Sequence, residues 1–348
     1  MPSDLASRWS DPTQPAFVIA EAGVNHNGDP ELARRLVDAA AAAGADAVKF
    51  QTFRAEALVT RTAAKAAYQA RNDPRTATQF EMLKALELGE ADFAALKAQA
   101  DGLGIAFLST PFDEDSADLL ARLGVAAFKV SSGDLTHPAF LAHVARHGRP
   151  MIVSTGMATL GEVLDATAAI GAAGDPPLAL LHCVSNYPAD PADANLRAMA
   201  TIAAATGKPV GWSDHTEGEA VSFAAVALGA RIVEKHLTLS RAMDGPDHRA
   251  SMEPNAFARF VAGIREVEAA LGSARKEPSA AELKVAEVAR RSLVAAVDIP
   301  AGGTLSASTV AVRRPGTGIA PKHLPLVLGR TTRVAIAAHQ PLAWEMLA

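Results

Sequence analysis

Eight short apolar runs recur between Phe17 and about Gly272, each followed by a polar loop and a stretch of 10 to 15 residues with helical periodicity. The runs are "FVIAEAG", "AVKFQTF", "AFLSTPF", "AFKVSSG", "MIVSTGM", "LALLHCV", "VGWSDHT" and "RIVEKHL". Between them lie stretches such as "PELARRLVDAAAAAG" and "GEAVSFAAVALG", several ending in Gly as a helix C-cap does. Strands alternating with helices point to parallel pairing through crossovers, and eight units are the number that closes a (β/α)8 TIM barrel. Each run begins apolar and ends polar, at Glu21, Lys49 and Gln51, Thr110, Lys129 and Ser132, Ser154, Ser185, His215 and His236. A doubly wound sheet would gather ligands only around a topological switch point. Polar ends on all eight strands instead favour the closed barrel, which builds its active sites on that face.

The texture changes after Gly272. Residues 273–291, "SARKEPSAAELKVAEVARR", read as a solvated linker with a short helix. From Ser292 to Ala348 come β-branched runs, "SLVAAVDI", "TVAVRRP" and "TRVAIAA", with turn signals "PAGG" and "RPGTG" between them. The expected organisation is therefore a barrel over 1–272, a linker over 273–291, and a small, mostly β domain over 292–348. A domain that small lies near the lower limit for independent folding and is expected to dock on something.

With 49% hydrophobic and 20% charged residues, the chain has enough apolar side chains for a sizeable core. Its formal charge of −5 argues against a nucleic-acid binder. No apolar run approaches the ~18 residues of a membrane span, and the first residues, "MPSDLASRWSDPTQP", carry no apolar signal region. The single cysteine, Cys183, precludes an intramolecular disulfide and a Cys cluster for zinc. A cytoplasmic location is the expectation.

His215 and His236 are 21 residues apart, at the ends of consecutive strands. Neighbouring strands lie about 4.8 Å apart, so the two imidazoles can share one divalent cation. The alternative is that each is a hydrogen-bonded strand-end residue. A two-His site completed by oxygen ligands or water is open and suits Mn or Mg. Lys49 and Lys129, with Gln51, Thr110, Ser132 and Ser154, resemble a pocket for phosphate or carboxylate. Alternatively, the lysines are solvated and pair with Glu21 or Glu234, or one forms a Schiff base. In "MDGPDHRASMEP", Asp247 and His248 are acid/base candidates at the mouth. Along "RIVEKHLTL", alternation sends Glu234 to the side of His236 and Lys235 to the other. Arg313 and Arg314 in "VRRPGTG" read, on spacing alone, as a surface turn.

Taken together, "IAEAGVNHNGD", "GADAVKFQTF", "YQARND", "QFEMLKALEL", "FLSTPFDEDS", "FKVSSGDL", "IVSTGMATLGEV", "LLHCVSNYPA", "WSDHT", "EKHLTL", "GPDHRASMEP" and "RRPGTGI" resemble the sialic acid synthase family. They run in order over almost the entire chain. The resemblance implies a barrel followed by an antifreeze-like (SAF) domain. It also implies a transferase that condenses phosphoenolpyruvate with an open-chain N-acylated amino sugar, typically N-acetylmannosamine, giving a nonulosonic acid and phosphate. It assigns a Mn or Mg ion to His215 and His236. It assigns phosphoenolpyruvate contacts to Lys49, Thr110, Lys129, Ser132 and Ser154, with Gln51 nearby, and sugar contacts to Glu21, Tyr187 and Asp247. Arg314 would reach the sugar's N-acyl group in the barrel of a second subunit, so a domain-swapped homodimer with composite sites follows. Glu21 and Asp247 both remain open as the group that handles the attacking water.

Two departures bear on the acceptor. "HCVSNYPAD" has Ser185 and Asn186 where relatives commonly show Asn-Ile or Thr-Glu, and "KVSSGDL" has Ser131 and Asp134 where "KIPSGEL" is frequent. The neuraminate branch and the legionaminate branch, whose acceptor is 2,4-diacetamido-2,4,6-trideoxymannose, both fit, and the pseudaminate branch fits less well. A Schiff-base aldolase and a non-catalytic carbohydrate- or ice-binding scaffold are the competing classes.

Overall fold

Strands β1 (Phe17–Gly23), β2 (Ala47–Thr52), β3 (Ala106–Pro111), β4 (Phe128–Val130), β5 (Met151–Ser154), β6 (Leu178–Cys183), β7 (Val210–Asp214) and β8 (Ile232–His236) pair in chain order, all parallel. β8 returns to β1, with Phe17 beside Ile232 and Glu21 beside His236, which closes a TIM barrel. The structure is a computed structural model that describes residues 5–348, and the chain divides after Gly272 into two compact units. Among the described residues, no helix is long and apolar enough to cross a membrane.

Helices follow the strands because each has its own start and stop signals. Asp29 caps Pro30–Ala42 by accepting from the Glu31 amide, with Pro30 at the first turn, where its missing N–H costs nothing. Thr159 and Glu162 form a reciprocal capping box at the start of Leu160–Ala173. Glu90–Leu103 and Glu114–Leu123 end at Gly104 and Gly124, both at φ 78°, a left-handed conformation that glycine adopts without a Cβ clash.

Inside the barrel, alternate residues point inward. The lower layer is apolar: Phe17 and Ile19 from β1, Ala47, Leu108, Ala127, Ile152, Leu181 and Ile232 pack together with Leu5 and Trp9 of the first helix. β7 contributes Gly211 to this layer, and a Cβ there would lie 2.3 Å from the Ile232 carbonyl oxygen and 2.7 Å from Leu181. Only glycine fits this crowded wall.

The opposite face of β8 explains Lys235. Its ammonium is buried between the strand and the outer helices, donating to Asp214 Oδ2 at 2.8 Å and to the Thr216 carbonyl at 2.9 Å. Asp214 also accepts from Ser222 and from the Thr216 amide and hydroxyl. The pair is thus a satisfied structural network on the outer side of the wall.

In the second unit, β9 (Ser292–Ala295) and β10 (Val310–Arg313) form an antiparallel pair over a core that includes Leu293, Ile299, Leu305, Ile319, Ile336 and Leu342. The third β-branched run forms no regular strand: Ile336 bridges Ile299, and Pro341 bridges Val294, as isolated pairs. His339, at φ 69°, turns the chain between them. The helix Ala280–Ala289 groups with this unit, and its last turn accepts from the Gly316 amide and Arg314 Nε.

Removing the ammonium of Lys235 leaves a buried carboxylate without its counter-charge. Lys235→Met is expected to destabilise the fold by about 3 kcal/mol, read as a lower urea midpoint at unchanged m. A loss below about 1 kcal/mol would contradict the buried pair as described.

Candidate active site

One step beyond the apolar layer, the inner wall changes character. The residues two positions after Ile19, Ala47, Leu108, Ala127, Ile152, Gly211 and Ile232 are Glu21, Lys49, Thr110, Lys129, Ser154, Ser213 and Glu234. Period-two alternation alone therefore stacks a ring of polar groups on a hydrophobic floor. Lys49 Nζ lies 2.7 Å from Glu21 Oε2 and 3.9 Å from Glu234 Oε2, and donates to Thr110 Oγ1 at 3.0 Å. Lys129 Nζ lies 3.6 Å from Glu234 Oε1 and donates to Ser154 Oγ at 2.7 Å. Ser213 donates to Glu234 at 3.1 Å, and Gln51 donates to Glu21 at 3.2 Å. The lysines are thus paired with both glutamates, but within the cavity rather than in solvent.

Burial sets the electrostatics. It raises the Glu21 carboxyl to about 7, against the pull of Lys49. On Glu234, burial pushes the same way, but Lys129 and Lys49 outweigh it and hold the group below its ordinary range. Burial likewise works against the Lys49 ammonium, and Glu21 and Glu234 overcome it, so that lysine stays firmly charged. Lys129 is shifted down, chiefly by burial.

Beside this ring is a pocket of hydroxyls. The Gly156 amide donates to Ser132 Oγ at 2.9 Å, and Ser132 lies 3.2 Å from Cys183 Sγ. A Cβ on Gly156 would approach Ser185 Oγ to 2.3 Å and Ser132 Oγ to 2.9 Å, so glycine keeps this cradle open.

His215 and His236 continue the inner rows of β7 and β8, with ring centroids 5.5 Å apart. His215 Nδ1 is 2.7 Å from the Val184 carbonyl. A carbonyl only accepts, so Nδ1 carries the proton and Nε2 presents a lone pair. Burial depresses both imidazoles, His215 to about 4 and His236 well below its usual value, keeping them neutral as ligands must be. His236 Nδ1 is buried without a hydrogen-bond partner. The Tyr187 ring lies 4.1 Å from His215 and stacks 5.1 Å from Tyr68.

Glu21, Lys49, Gln51, Thr110, Lys129, Ser132, Ser154, Tyr187, His215, His236 and Asp247 all border one cavity of about 480 Å³ at the C-terminal mouth. Arg314 belongs to the second unit, where it is exposed. Asp247 is raised to about 6, mainly by burial. His248, its neighbour in sequence, is directed elsewhere: Nδ1 lies 2.6 Å from Thr238 Oγ1 and Nε2 3.3 Å from Asn27. It is a loop-pinning residue, and the acid/base candidate of that pair is Asp247 alone. The sequence alone does not single out Ser213 or Tyr68, and it offers Glu234 as a lysine partner only in the alternative where the lysines are solvated. A larger cavity, about 930 Å³, lies at the other end of the barrel among Arg8, Asp46 and Arg149. There Asp46 is already paired with Arg8 and Arg265, each at 2.8 Å.

The upper wall is of a different kind. The segment after β2 carries three short helices, Ala55–Leu58, Ala67–Asn72 and Gln79–Ala85. Leu58, Val59, Met82, Leu83 and Leu86 from it, with Val24 and Phe112, give the cavity an apolar side.

A barrel whose mouth gathers buried lysines, hydroxyls, carboxylates and a neutral histidine pair has the composition of an enzyme site that could hold a metal. Residues 36–276 match the NeuB family and residues 290–348 the SAF domain. The chain is 47% identical to N,N'-diacetyllegionaminic acid synthase of Legionella pneumophila, over 94% of both chains. It is 37% identical to N-acetylneuraminate-9-phosphate synthase of Mus musculus, over 97% of this chain and 94% of that one. The crystal structure of N-acetylneuraminic acid synthetase from Leptospira borgpetersenii superposes with a TM-score of 0.70 at 36% identity, covering 78% of this chain and 90% of that one. The chain belongs to the NeuB family, whose members condense phosphoenolpyruvate with sugars. It is a sialic acid synthase-type enzyme, a transferase that forms a C–C bond.

Proposed function

We propose that this enzyme condenses phosphoenolpyruvate with 2,4-diacetamido-2,4,6-trideoxymannose, an acceptor without phosphate, in a site that holds Mn or Mg on His215 and His236. The observation that carries the acceptor is the contrast within the cavity. Among the described residues, the lysines and arginines that border it are Lys49 and Lys129, both on the floor, while the upper wall is Leu58, Val59, Met82, Leu83 and Leu86. A 6-deoxy methyl and a second acetamido group suit such a wall, whereas a sugar phosphate placed against it would find no counter-charge from the same subunit. The Legionella relative, at 47% identity, supports the same choice. N-acetylmannosamine is the second reading, since its single acetamido group also fits this wall.

The floor receives phosphoenolpyruvate. Lys49, Lys129, Thr110 and Ser154 bind one anionic end, and Ser132 with Gln51 borders the other. The two lysines are already balanced by Glu21 and Glu234, so an incoming anion brings uncompensated charge. Two features relieve it: Glu21, held near neutrality by burial, can carry a proton, and the histidine pair can hold a cation. The donor set fits such an ion, since His215 Nε2 is free and His236 Nδ1 is a buried orphan. A divalent cation there supplies Lewis-acid polarisation of the aldehyde oxygen and positive charge.

In the reaction, C3 of phosphoenolpyruvate bonds to the aldehyde carbon, whose oxygen gains a proton from whichever of Glu21 and Asp247 is protonated. Water adds at C2, and as the C–O bond to phosphate breaks with its electron pair leaving on phosphate, the C2 hydroxyl gives its remaining proton to the departing phosphate and becomes the ketone. Asp247 or Glu21 takes the water proton, each placed in the cavity with a carboxyl raised by burial. Tyr187 and the bordering apolar side chains orient the sugar and exclude water. A Schiff base is disfavoured because Lys49 is held charged and Lys129 is engaged by Ser154 and Glu234. The free, buried thiol of Cys183 fits a reducing cytoplasm.

Phosphate release from phosphoenolpyruvate with Mn should be faster, in kcat/KM, with the diacetamido sugar than with N-acetylmannosamine by about tenfold or more. N-acetylmannosamine 6-phosphate should be the poorest acceptor. The highest kcat/KM on the phosphorylated sugar would exclude this acceptor assignment.

We also propose that the site is composite, with Arg314 of a second copy contacting the N-acyl group in a homodimer. His236→Ala and Arg314→Ala should each be inactive alone. Mixed and re-associated, they should recover about a quarter of the wild-type rate, because half the dimers are mixed and one site in each is intact. No recovery in demonstrably mixed dimers would rule the swap out.

A further inference from the structure

On the outer helical layer, away from the mouth, Asp118, His143 and His147 bring three ligand atoms within 4.8 Å of one another. Asp118 lies on the helix Glu114–Leu123, which follows β3. His143 lies on Pro138–Ala145, which follows β4, and His147 is one turn further on. Spacing of four residues puts both imidazoles on one side of that turn. Their ring centroids are 5.4 Å apart with planes at 80°, so the two rings converge edge to face rather than stacking. Both direct Nε2 at the same carboxylate oxygen: Asp118 Oδ1 is 2.7 Å from His143 and 3.1 Å from His147.

We propose that these three residues form a divalent-cation site of the zinc type, separate from the catalytic mouth. Around a tetrahedral zinc with bonds near 2.0–2.1 Å, adjacent donor atoms are about 3.3 Å apart, so the two His–Asp contacts of 2.7 and 3.1 Å would open slightly around an ion and the two imidazole nitrogens already lie within 4.8 Å of each other. Two imidazoles and one carboxylate favour Zn, Co or Ni over Mg and Mn, which prefer oxygen. The side chains are 22%, 24% and 44% exposed for His143, His147 and Asp118, so ions can enter and a fourth position faces water. His147 packs 5.5 Å from the Phe128 ring of β4, which fixes its orientation against the barrel wall. The ion would clip the helix after β3 to the helix after β4. Without it, the same geometry is two imidazole N–H groups donating to one carboxylate, and metal binding distinguishes the two.

The test uses the full chain carrying His215→Ala and His236→Ala, so that the mouth pair is silent, after removal of metal with EDTA. Equilibrium dialysis should find one equivalent of Zn bound with Kd tighter than about 10 µM. Co should give a visible d–d spectrum, and Zn should raise the melting temperature. Adding His143→Ala and His147→Ala should abolish all three, and Asp118→Asn, which keeps an oxygen acceptor but no charge, should weaken Zn by tenfold or more. Mn-dependent turnover of His143→Ala/His147→Ala with the mouth pair intact checks folding. Where that variant does not fold, the Asp118→Asn affinity and the Co spectrum decide. Failure of the parent to bind Zn at about 100 µM, or equal binding after the substitutions, would overturn the site.

Discussion

Four charges inside a closed barrel set the terms for everything at its mouth. Lys49 is shared between Glu21 and Glu234, and Lys129 leans on Glu234 from the other side. A lysine or glutamate taken alone from water into such a wall costs several kcal/mol, so each needs the others. The alternation of strands brings them together: apolar residues occupy one inward row, and the next inward row is charged. The apolar layer with Leu5 and Trp9 beneath them separates these charges from the other end of the barrel. Because the lattice is balanced, an anionic substrate must bring or recruit positive charge, and that requirement links the floor to the histidine pair above it.

Much of this was legible in the sequence because barrel strands have a simple period. Eight runs ending polar are enough to place Lys49, Thr110, Lys129, Ser154, His215 and His236 on one face. Alternation along β8 also separates Glu234, inward beside the lysines, from Lys235, outward against Asp214. What stayed hidden depends on paths that no period describes. Asp247 and His248 are adjacent in an irregular loop, and only the course of that loop turns the first into the cavity and the second onto Thr238. Tyr68 and the apolar wall come from the segment after β2, three short helices whose packing over the mouth has no strand-like or long-helix signature. The run "TRVAIAA" reads as a strand by composition, yet the turn at His339 limits it to isolated bridges.

The cavity divides its labour by height. Its floor offers charge and hydroxyls, its middle offers imidazole and carboxylate, and its rim is aliphatic on one side and aromatic on the other. A reaction joining a small, highly charged enol phosphate to a larger, neutral sugar needs that gradient. In the proposed reaction the first partner would be bound by electrostatics in a low-dielectric floor, and the second by shape and apolar contact where the barrel opens. The helical ring outside is free of these demands, and it is there that Asp118, His143 and His147 cluster.

Calorimetric titration of phosphoenolpyruvate into the wild-type and Lys129→Ala proteins, with no sugar present, tests the charged floor most directly. Loss of this buried, charge-assisted contact should weaken phosphoenolpyruvate binding by about tenfold to a hundredfold, with the melting curve still cooperative. Equal affinity in a folded Lys129→Ala protein would mean that phosphoenolpyruvate does not rest on this floor.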